Sequence, residues 1–275
     1  MNQLMTVLVA AYEGDLASAN IAKKIIAKYC LQETGERSAG RPIYRRDEIR
    51  LAYLEVDSVF ADDLDQRLKA DAIVFASRHK SDSGEPTLTV HVSGNLTSNA
   101  RFGGRPNRLA LADPHMVKSA LQSLKSAQKR LRLDRYLVSI EATHHGPTEL
   151  QVPSLFVEIG SSEEQWNDEV AAEAVADAIY TCATKPALGK PAVGFGGGHY
   201  SMKHTEANEG TELAVGHVLP KYFFDSFDPS MVWQAFERTI GECNTAVIDW
   251  KGIRGPERRE LIRLLRDKKV DVVRV

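Results

Sequence analysis

Apolar residues occur along this chain in short blocks rich in Val, Ile and Leu, and polar segments with turn-forming residues separate the blocks. Blocks of about four to eight apolar residues bounded by turn residues predict β-strands. On this criterion, strands are predicted at residues 4–10, 51–56, 72–76, 87–92, 136–141, 154–159, 214–218, 245–249 and 270–274.

Other segments repeat their apolar residues at the spacing of one helix face. Helices are predicted in this way at residues 16–29, 117–131, 166–182 and 256–266. Ser161 and Ser162, followed by two glutamates, are expected to cap the third helix, and Pro256 stands near the start of the fourth. Alternating strands and helices predict an α/β fold, with a mostly parallel sheet covered by helices in three layers.

Two long polar segments interrupt this pattern. Residues 33–50 are strongly charged, and residues 94–114 contain Gly94, Gly103 and Gly104, so both are predicted to be surface excursions. Neither has the composition of an interdomain linker. We therefore expect one α/β domain over residues 1–275, with two closely packed lobes as the alternative.

Composition narrows the class of protein. The chain is 43% hydrophobic and 26% charged, which is typical of a globular protein with a sizeable core. Its formal net charge of −2 lacks the overall basic character of many nucleic-acid binders, so a polyanion would have to bind a local patch. The three cysteines form no Cys-x-x-Cys motif, and no apolar run is long enough to span a membrane. We expect a cytosolic monomer from a reducing compartment.

Histidines carry the clearest chemical signal. Most of them lie at or near predicted strand ends or turns, namely His79, His91, His144, His145, His199, His204 and His217. Histidine is the commonest metal ligand and the usual general base near neutral pH. Because one edge of a parallel sheet collects the ends of its strands, these side chains predict a shared site. The spacing leaves open a zinc site or a metal-free His/Glu acid–base site.

The pair His144-His145 follows a predicted strand and precedes Gly146-Pro147, a combination that predicts a rigid turn. Neighbouring residues of an extended strand point to opposite faces. Both imidazoles can therefore reach one pocket only if the turn redirects one of them.

Two further segments are candidates. Glu158 lies inside an apolar strand, where a carboxylate must be paired, metal-bound or protonated, unless alternation places it on a solvated face. The segment 194–200 (GFGGGHY) lacks the dinucleotide and P-loop fingerprints. Its glycines could present amide groups to an oxyanion or cradle a terminal adenosine, and a flexible turn is the alternative.

Basic residues gather in two stretches, which are either solvated faces or docking sites for phosphates. The first comprises Arg37, Arg41, Arg45, Arg46 and Arg50. The second comprises Lys251, Arg254, Arg258, Arg259, Arg263, Arg266, Lys268 and Lys269.

A set of motifs in fixed order connects these features: SRHKSDSG (77–84), TVHVSGN (89–95), HHGPT (144–148), FVEIGSS (156–162), GFGGGHY (194–200), GH (216–217) and KG (251–252). In this set the chain resembles the D-aminoacyl-tRNA deacylases of the archaeal and plant type. The likeness extends over nearly the full length.

The resemblance implies a zinc-dependent hydrolase with a phosphorylase- or peptidyl-tRNA-hydrolase-like fold, which cuts the ester between a D-amino acid and the 3′ end of tRNA. Zinc-activated water would attack this ester, with Glu158 or His145 as the base. The implied metal ligands are His79, His91, His144, His199 and His217. Gly196, Gly197, Gly198 and Tyr200 would bind the substrate. The tRNA acceptor end would contact Lys251, Arg254, Arg258 and Arg259.

Two rival functions are compatible with the same residues. A peptidyl-tRNA hydrolase or carboxypeptidase-like metallohydrolase would act on blocked esters or peptides, without dependence on the chirality of a free aminoacyl group. A non-enzymatic tRNA-binding module would retain tRNA without cleaving it and without binding a metal.

Overall fold

The nine predicted strands are present in the structure, a computed structural model that describes residues 5–275. Residue 4, where the first strand is predicted to begin, lies outside the described residues. The strands are β1 (Val7–Tyr12), β2 (Gln32–Ser38), β3 (Arg41–Arg46), β4 (Ile49–Leu54), β5 (Ala72–Lys80), β6 (Thr87–His91), β7 (Gly94–Asn95), β8 (Arg108–Leu109), β9 (Leu137–Ile140), β10 (Ser154–Ser161), β11 (Lys190–Phe195), β12 (Leu213–Leu219), β13 (Thr245–Ile248) and β14 (Asp271–Arg274).

All four predicted helices are also found, with others between them. The helices are α1 (Leu16–Lys28), α2 (Leu64–Leu68), α3 (Pro114–Leu131), α4 (Glu163–Trp166), α5 (Glu169–Thr184), α6 (Met202–Gly210), α7 (Pro229–Glu237) and α8 (Gly255–Asp267). The prediction of one helix after Ser162 is wrong in detail. Ser162 caps the single turn α4, and Asp168 begins α5 by accepting hydrogen bonds from the amides of Val170 and Ala171.

The strands form an eight-stranded sheet in the order β2-β3-β4-β1-β5-β10-β6-β9 and a four-stranded sheet in the order β12-β11-β13-β14, beside the short pair β7-β8. The smaller sheet is parallel throughout, and β4, β1, β5 and β10 of the larger sheet are parallel to one another. Strands β6 and β9 run antiparallel to β10. The α/β class with a mostly parallel, helix-covered sheet is confirmed.

Apolar side chains cover both faces of the large sheet. Helices α1, α3 and α5 pack on one face, and α2 with the segment around Leu150 packs on the other. The first of these cores continues into the smaller sheet through Val215 and Val247. The two sheets therefore share one apolar core.

Residues 33–50 are not the irregular excursion that their polarity predicts. They form most of the edge hairpin β2-β3 and the start of β4. Only Ile43 is buried among the residues of β2 and β3, so charged side chains occupy both faces and hide the alternation of a strand. Charged residues of this kind are typical of edge strands, where they discourage pairing with other chains.

No helix within residues 5–275 is both long and apolar enough to cross a membrane.

Asp15 joins the start of α1 to strand β5. Its buried carboxylate accepts hydrogen bonds from the amides of Ser18, at 3.1 Å, and Arg78, at 2.8 Å. We expect Asp15→Ala to lower the free energy of unfolding by about 2 kcal/mol, because it removes a helix cap and leaves a buried amide unpaired. Urea unfolding measures this loss. Asp15→Asn retains one acceptor oxygen and should lose less, and equal losses in the two variants would contradict this explanation.

Candidate metal and catalytic site

Five histidines and two glutamates meet where the two large sheets adjoin. This histidine cluster consists of His79 in β5, His91 at the end of β6, Glu158 in β10, Glu141, His144 and His145 after β9, and His199 after β11. The glutamates, His79 and His91 are buried, and the other three histidines are partly exposed.

Strand alternation explains how two of these side chains reach the cluster. Phe75 and Phe156 lie on one face of the large sheet and stack with their ring centroids 4.6 Å apart. His79 lies four residues beyond Phe75 and Glu158 two residues beyond Phe156, so both side chains point to that same face. The pattern that builds the core thus also buries Glu158, and the alternative of a solvated position for it is wrong.

The cluster does not form along one edge of a parallel sheet, and that prediction is wrong. Because β6 runs antiparallel to β10, His91 at the end of β6 pairs with Phe156 near the start of β10. The His91 ring stacks on the Phe156 ring at 5.2 Å. The histidines therefore converge from strands of opposite direction.

The turn after β9 brings both adjacent histidines into the cluster. His145 has a φ of 43°, which lies in the left-handed region and redirects its side chain. The centroids of the His144 and His145 rings are only 4.3 Å apart. Nδ1 of His144 hydrogen-bonds to the carbonyl of Ala142, and Nδ1 of His145 to that of Gly146. Donation from Nδ1 leaves Nε2 of each ring as the lone-pair nitrogen.

His199 reaches the cluster from the smaller sheet. The loop after β11 runs beside the end of β9, where the amide of Ala142 donates to the carbonyl of His199 and the amide of Ser201 donates to the carbonyl of Ile140. These backbone bonds fasten the two sheets together at the site.

Glu141 lies at the centre of the cluster, although the sequence interpretation did not select it. One of its oxygens lies 3.2 Å from Nδ1 of His79, and the other lies 3.3 Å from Nε2 of His199 and 3.7 Å from Nε2 of His144. The available signal was a glutamate that ends an apolar strand three residues before the histidine pair.

Glu158 lies between two histidines. Its Oε2 atom is 3.5 Å from Nε2 of His91 and 3.6 Å from Nδ1 of His79. The other ring nitrogen of His79, Nε2, lies 3.1 Å from the hydroxyl of Tyr200. Tyr200 therefore fixes the orientation of the His79 ring that faces both glutamates.

The histidines of the cluster differ in pKa: some are raised by the neighbouring carboxylates and others are lowered by burial. Burial opposes the charge of His79, but Glu141 and Glu158 beside it raise its pKa to about 11. Burial likewise opposes the charge of Glu158, and His79 and His91 nevertheless lower its pKa to about 2. Burial and the neighbouring His91 lower the pKa of His145 to about 4 and hold the pKa of His144 well below its usual range. His144 and His145 are thus neutral at pH 7.

The donor set fits a metal ion. Ligand atoms of three overlapping groups lie within 4.8 Å of one another: His79, Glu141, His144 and His199; His91, His144 and His145; and His91, Glu141 and Glu158. In the part of the chain that the structure describes, both nitrogens of His91, both oxygens of Glu141 and Nε2 of His199 are buried without a well-aligned hydrogen bond. Buried polar atoms normally have partners, so a ligand is the simplest explanation. Imidazole and carboxylate donors suit zinc.

His217 lies outside this arrangement. Its ring nitrogens hydrogen-bond to Thr143 Oγ1 at 3.2 Å and to the carbonyl of Ala110 at 3.1 Å. Both nitrogens are therefore engaged within the protein core, and His217 belongs to none of the three groups. The structure gives it a role in packing and does not support the expected role as a ligand.

The cluster opens into a cleft of about 910 Å³, here called the histidine cleft. Its lining includes residues of the cluster (His79, His144, Glu158 and His199) together with Tyr200, and also Arg78, Lys80, Arg101 and residues 81–83. The volume is that of a small-molecule site.

The glycine-rich segment faces a different depression, and one of its expected amide donors is engaged elsewhere. The amide of Gly196 donates to the carbonyl of Leu219. Gly197 and Gly198 line a cleft of about 650 Å³, here called the basic cleft, which shares no lining residue with the histidine cleft. The expected oxyanion role of these glycines is therefore not supported by their position.

The expected tRNA-binding residues fall in three places. Lys251 and Arg254 line the basic cleft. Arg258 stacks on Trp250 at 4.4 Å and donates to two backbone carbonyls, so it holds its own loop. Arg259 lines a third depression with Arg263, Arg266 and Arg274. In the first basic stretch, Arg41, Arg45, Arg46 and Arg50 form ion pairs with nearby carboxylates.

Comparison with known proteins relates this site to a family. A sequence model described as D-aminoacyl-tRNA deacylase matches residues 66–273. A D-aminoacyl-tRNA deacylase of Methanosarcina acetivorans is 39% identical over 273 residues, covering 96% of this chain and 90% of that protein. One of Thermococcus kodakarensis is 38% identical over 269 residues, covering 95% and 96%. A crystal structure of a conserved protein of unknown function, AF0625, is 32% identical and superposes with a TM-score of 0.89, over 99% of this chain and 96% of that chain.

Proposed function

The chain belongs to the D-aminoacyl-tRNA deacylase family, and from this premise we propose that it hydrolyses the ester between a D-amino acid and the 3′ end of tRNA at the histidine cluster, with zinc as cofactor. The observation that carries the site assignment is the group of buried donor atoms around Glu141 that lack hydrogen-bond partners.

The first of the three groups is our choice for the zinc ligands. His79, His144 and His199 place three imidazole nitrogens around one oxygen or the other of Glu141. Zinc held there would supply Lewis acidity and make water nucleophilic at neutral pH. The contact of Tyr200 with the far nitrogen of His79 is the kind of outer interaction that orients a ligand.

Glu158 is our choice for the base that takes the proton of the attacking water. It lies beside the proposed ligand His79 and lines the histidine cleft, from which an ester would approach. His79 must be neutral to bind a metal, so zinc would displace the proton that the neighbouring glutamates hold on His79 in the metal-free protein.

His145 is the second candidate for proton transfer. Its hydrogen bond to Gly146 fixes the ring, and its lowered pKa keeps the ring neutral, with a free nitrogen that is a weaker base than an ordinary imidazole. Preference for the D-ester would arise sterically, if the backbone and one imidazole hold the α-amino group and leave room only for the D side chain. Lys251, Arg254 and Arg259 would contact the acceptor end of tRNA, so binding should weaken with salt.

The test measures hydrolysis of D-tyrosyl-tRNA and L-tyrosyl-tRNA in parallel, before and after treatment with a chelator and after addition of zinc. We expect release from the D-ester alone, loss of release with the chelator, and recovery with zinc. D-selective release that ignores the chelator would overturn the zinc proposal and leave catalysis to Glu158 and His145.

Two other outcomes correspond to the rival functions. Release from N-acetyl-L-tyrosyl-tRNA, without release from the D-ester, would favour a peptidyl-tRNA hydrolase. Binding of tRNA with no release from any ester would favour a binding module.

A further inference from the structure

Three depressions form a row on the surface, because each shares lining residues with the next. The histidine cleft and a smaller cavity of about 220 Å³, here called the aromatic cavity, both include Phe102, His144 and His145. The aromatic cavity and the basic cleft both include Tyr222. The surface therefore leads from the histidine cluster through the aromatic cavity to the basic cleft.

The aromatic cavity has walls suited to a flat ring. Phe102 and Tyr222 remain 56% and 46% exposed, although large aromatic side chains are usually covered. The guanidinium of Arg101 lies 4.5 Å from the centroid of the Phe102 ring, on the same stretch of wall. Exposed aromatic and arginine side chains of this kind stack on unpaired bases.

The basic cleft gathers cations from three separate segments: Lys203 in α6, Lys221 after β12, and Lys251 and Arg254 after β13. Lys203 pairs with Glu206, and Arg254 pairs with Asp225 and Glu257. Within residues 5–275, no carboxylate oxygen lies within 4 Å of the Nζ atom of Lys221 or Lys251, so neither lysine forms an ion pair.

The backbone of the basic cleft can also approach an anion. Gly197 has a φ of +79°, and a side chain at Gly198 would meet no atom within 4 Å, so this stretch of backbone is open to the cleft. Asp249 also lines the cleft, and one of its oxygens accepts the amide of Gly252. Two uncompensated lysines beside open glycine backbone form a site for a phosphate.

We propose that the aromatic cavity binds the terminal adenosine of the tRNA and that the basic cleft binds the phosphate that precedes this adenosine. The assignment rests on the proposed function, which places the ester at the histidine cluster. An aminoacyl group, an adenosine and a phosphodiester follow one another in the substrate. The histidine cleft, the aromatic cavity and the basic cleft follow one another in the protein in the same order.

The test compares the binding of adenosine and of adenosine 5′-monophosphate, whose phosphate represents the last phosphodiester. Chemical-shift titration of the whole protein gives both dissociation constants without any turnover. We expect the monophosphate to bind roughly tenfold more tightly than adenosine, because it adds charge-assisted contacts. The double variant Lys221→Ala/Lys251→Ala should lose this difference and retain its affinity for adenosine. Lys129→Ala removes an exposed lysine of α3 that lines none of the three depressions, and this variant should keep the difference.

Tyr222 tests the aromatic cavity separately. Tyr222→Ala should weaken both ligands by roughly tenfold and leave their ratio unchanged, whereas Tyr222→Phe, which preserves stacking, should bind both ligands as the wild type does. Equal affinity of the wild type for the two ligands, or a ratio that survives the double lysine variant, would overturn the phosphate assignment. Normal adenosine binding by Tyr222→Ala would overturn the adenosine assignment.

Failure of the proposed deacylase function gives a different result from failure of the nucleotide assignment. A protein that binds the monophosphate in this pattern but cleaves no aminoacyl ester would refute the deacylase activity and leave the nucleotide site in place. A protein that cleaves the D-ester but binds both ligands equally would support the deacylase activity and refute the phosphate site.

Discussion

Glu141→Gln is expected to lower the affinity for zinc by at least about 100-fold, and to lower the rate of D-ester hydrolysis with it. Glu141 is the only carboxylate in the group with His79, His144 and His199, and its two oxygens face all three imidazoles. Even changes of groups that only orient a ligand cost about 10- to 100-fold in metal affinity, so the loss of a charged ligand should exceed this. Zinc content after dialysis and competition with a chromophoric chelator measure the first effect. Single-turnover hydrolysis measures the second.

Glu149→Gln is a matched control, because it makes the same chemical change to a nearby, partly buried carboxylate. Glu149 forms ion pairs with Arg105 at 2.9 Å and Arg108 at 3.5 Å and lies outside the metal groups. The control should keep its zinc and its rate. If Glu141→Gln also keeps both and only unfolds more easily, Glu141 is an ion-pair partner of His79 and the ligand assignment is wrong.

Local pattern was sufficient to predict most of the fold. Apolar blocks located nine strands because short buried strands interrupt the polar sequence wherever they cross the core. Strand β11 escaped prediction because the block over residues 190–195 contains Lys190, Pro191 and Gly194. The short helix α6 has no apolar face that would have marked it.

Prediction of the site succeeded where a residue's own neighbours determine its position. Apolar residues on both sides in its strand identify Glu158 as a candidate, and strand ends identify His79 and His91. The sequence around Glu141 gives no such indication, because only the folded chain shows that the imidazoles of His79 and His199 lie beside it. The strand position of His217 resembles that of the other histidines, but its hydrogen-bond partners Thr143 and Ala110 are distant in sequence.

Pairing between strands was the other property that the sequence could not show. The apolar blocks of β6 and β10 are compatible with either direction, and only the folded chain shows that the two strands pair in antiparallel. This pairing brings His91 beside Phe156, so the cluster is compact although its members come from five strands.

Glu158→Gln is expected to reduce the turnover of D-tyrosyl-tRNA by roughly 10²- to 10⁴-fold, the range of general acid–base catalysis. Glutamine has the same shape but cannot take a proton at neutral pH. Affinity for deacylated tRNA should not change, because Glu158 lies at the buried end of the histidine cleft and away from the basic cleft. Rapid-quench single-turnover kinetics give the rate, and fluorescence anisotropy with labelled tRNA gives the dissociation constant.

Zinc content of the Glu158→Gln protein decides between the two roles that the geometry allows. Glu158 also belongs to the group with His91 and Glu141, so it could be a ligand instead of a base. Full zinc occupancy with slow turnover would support the base, and loss of zinc together with turnover would refute it. His145→Ala provides the comparison, because His145 belongs to a different group and its neutral ring can also accept a proton. If only Glu158→Gln is slow, Glu158 alone transfers the proton. If the affinity of either variant for tRNA falls as much as its turnover, the residue changed in that variant is excluded from catalysis.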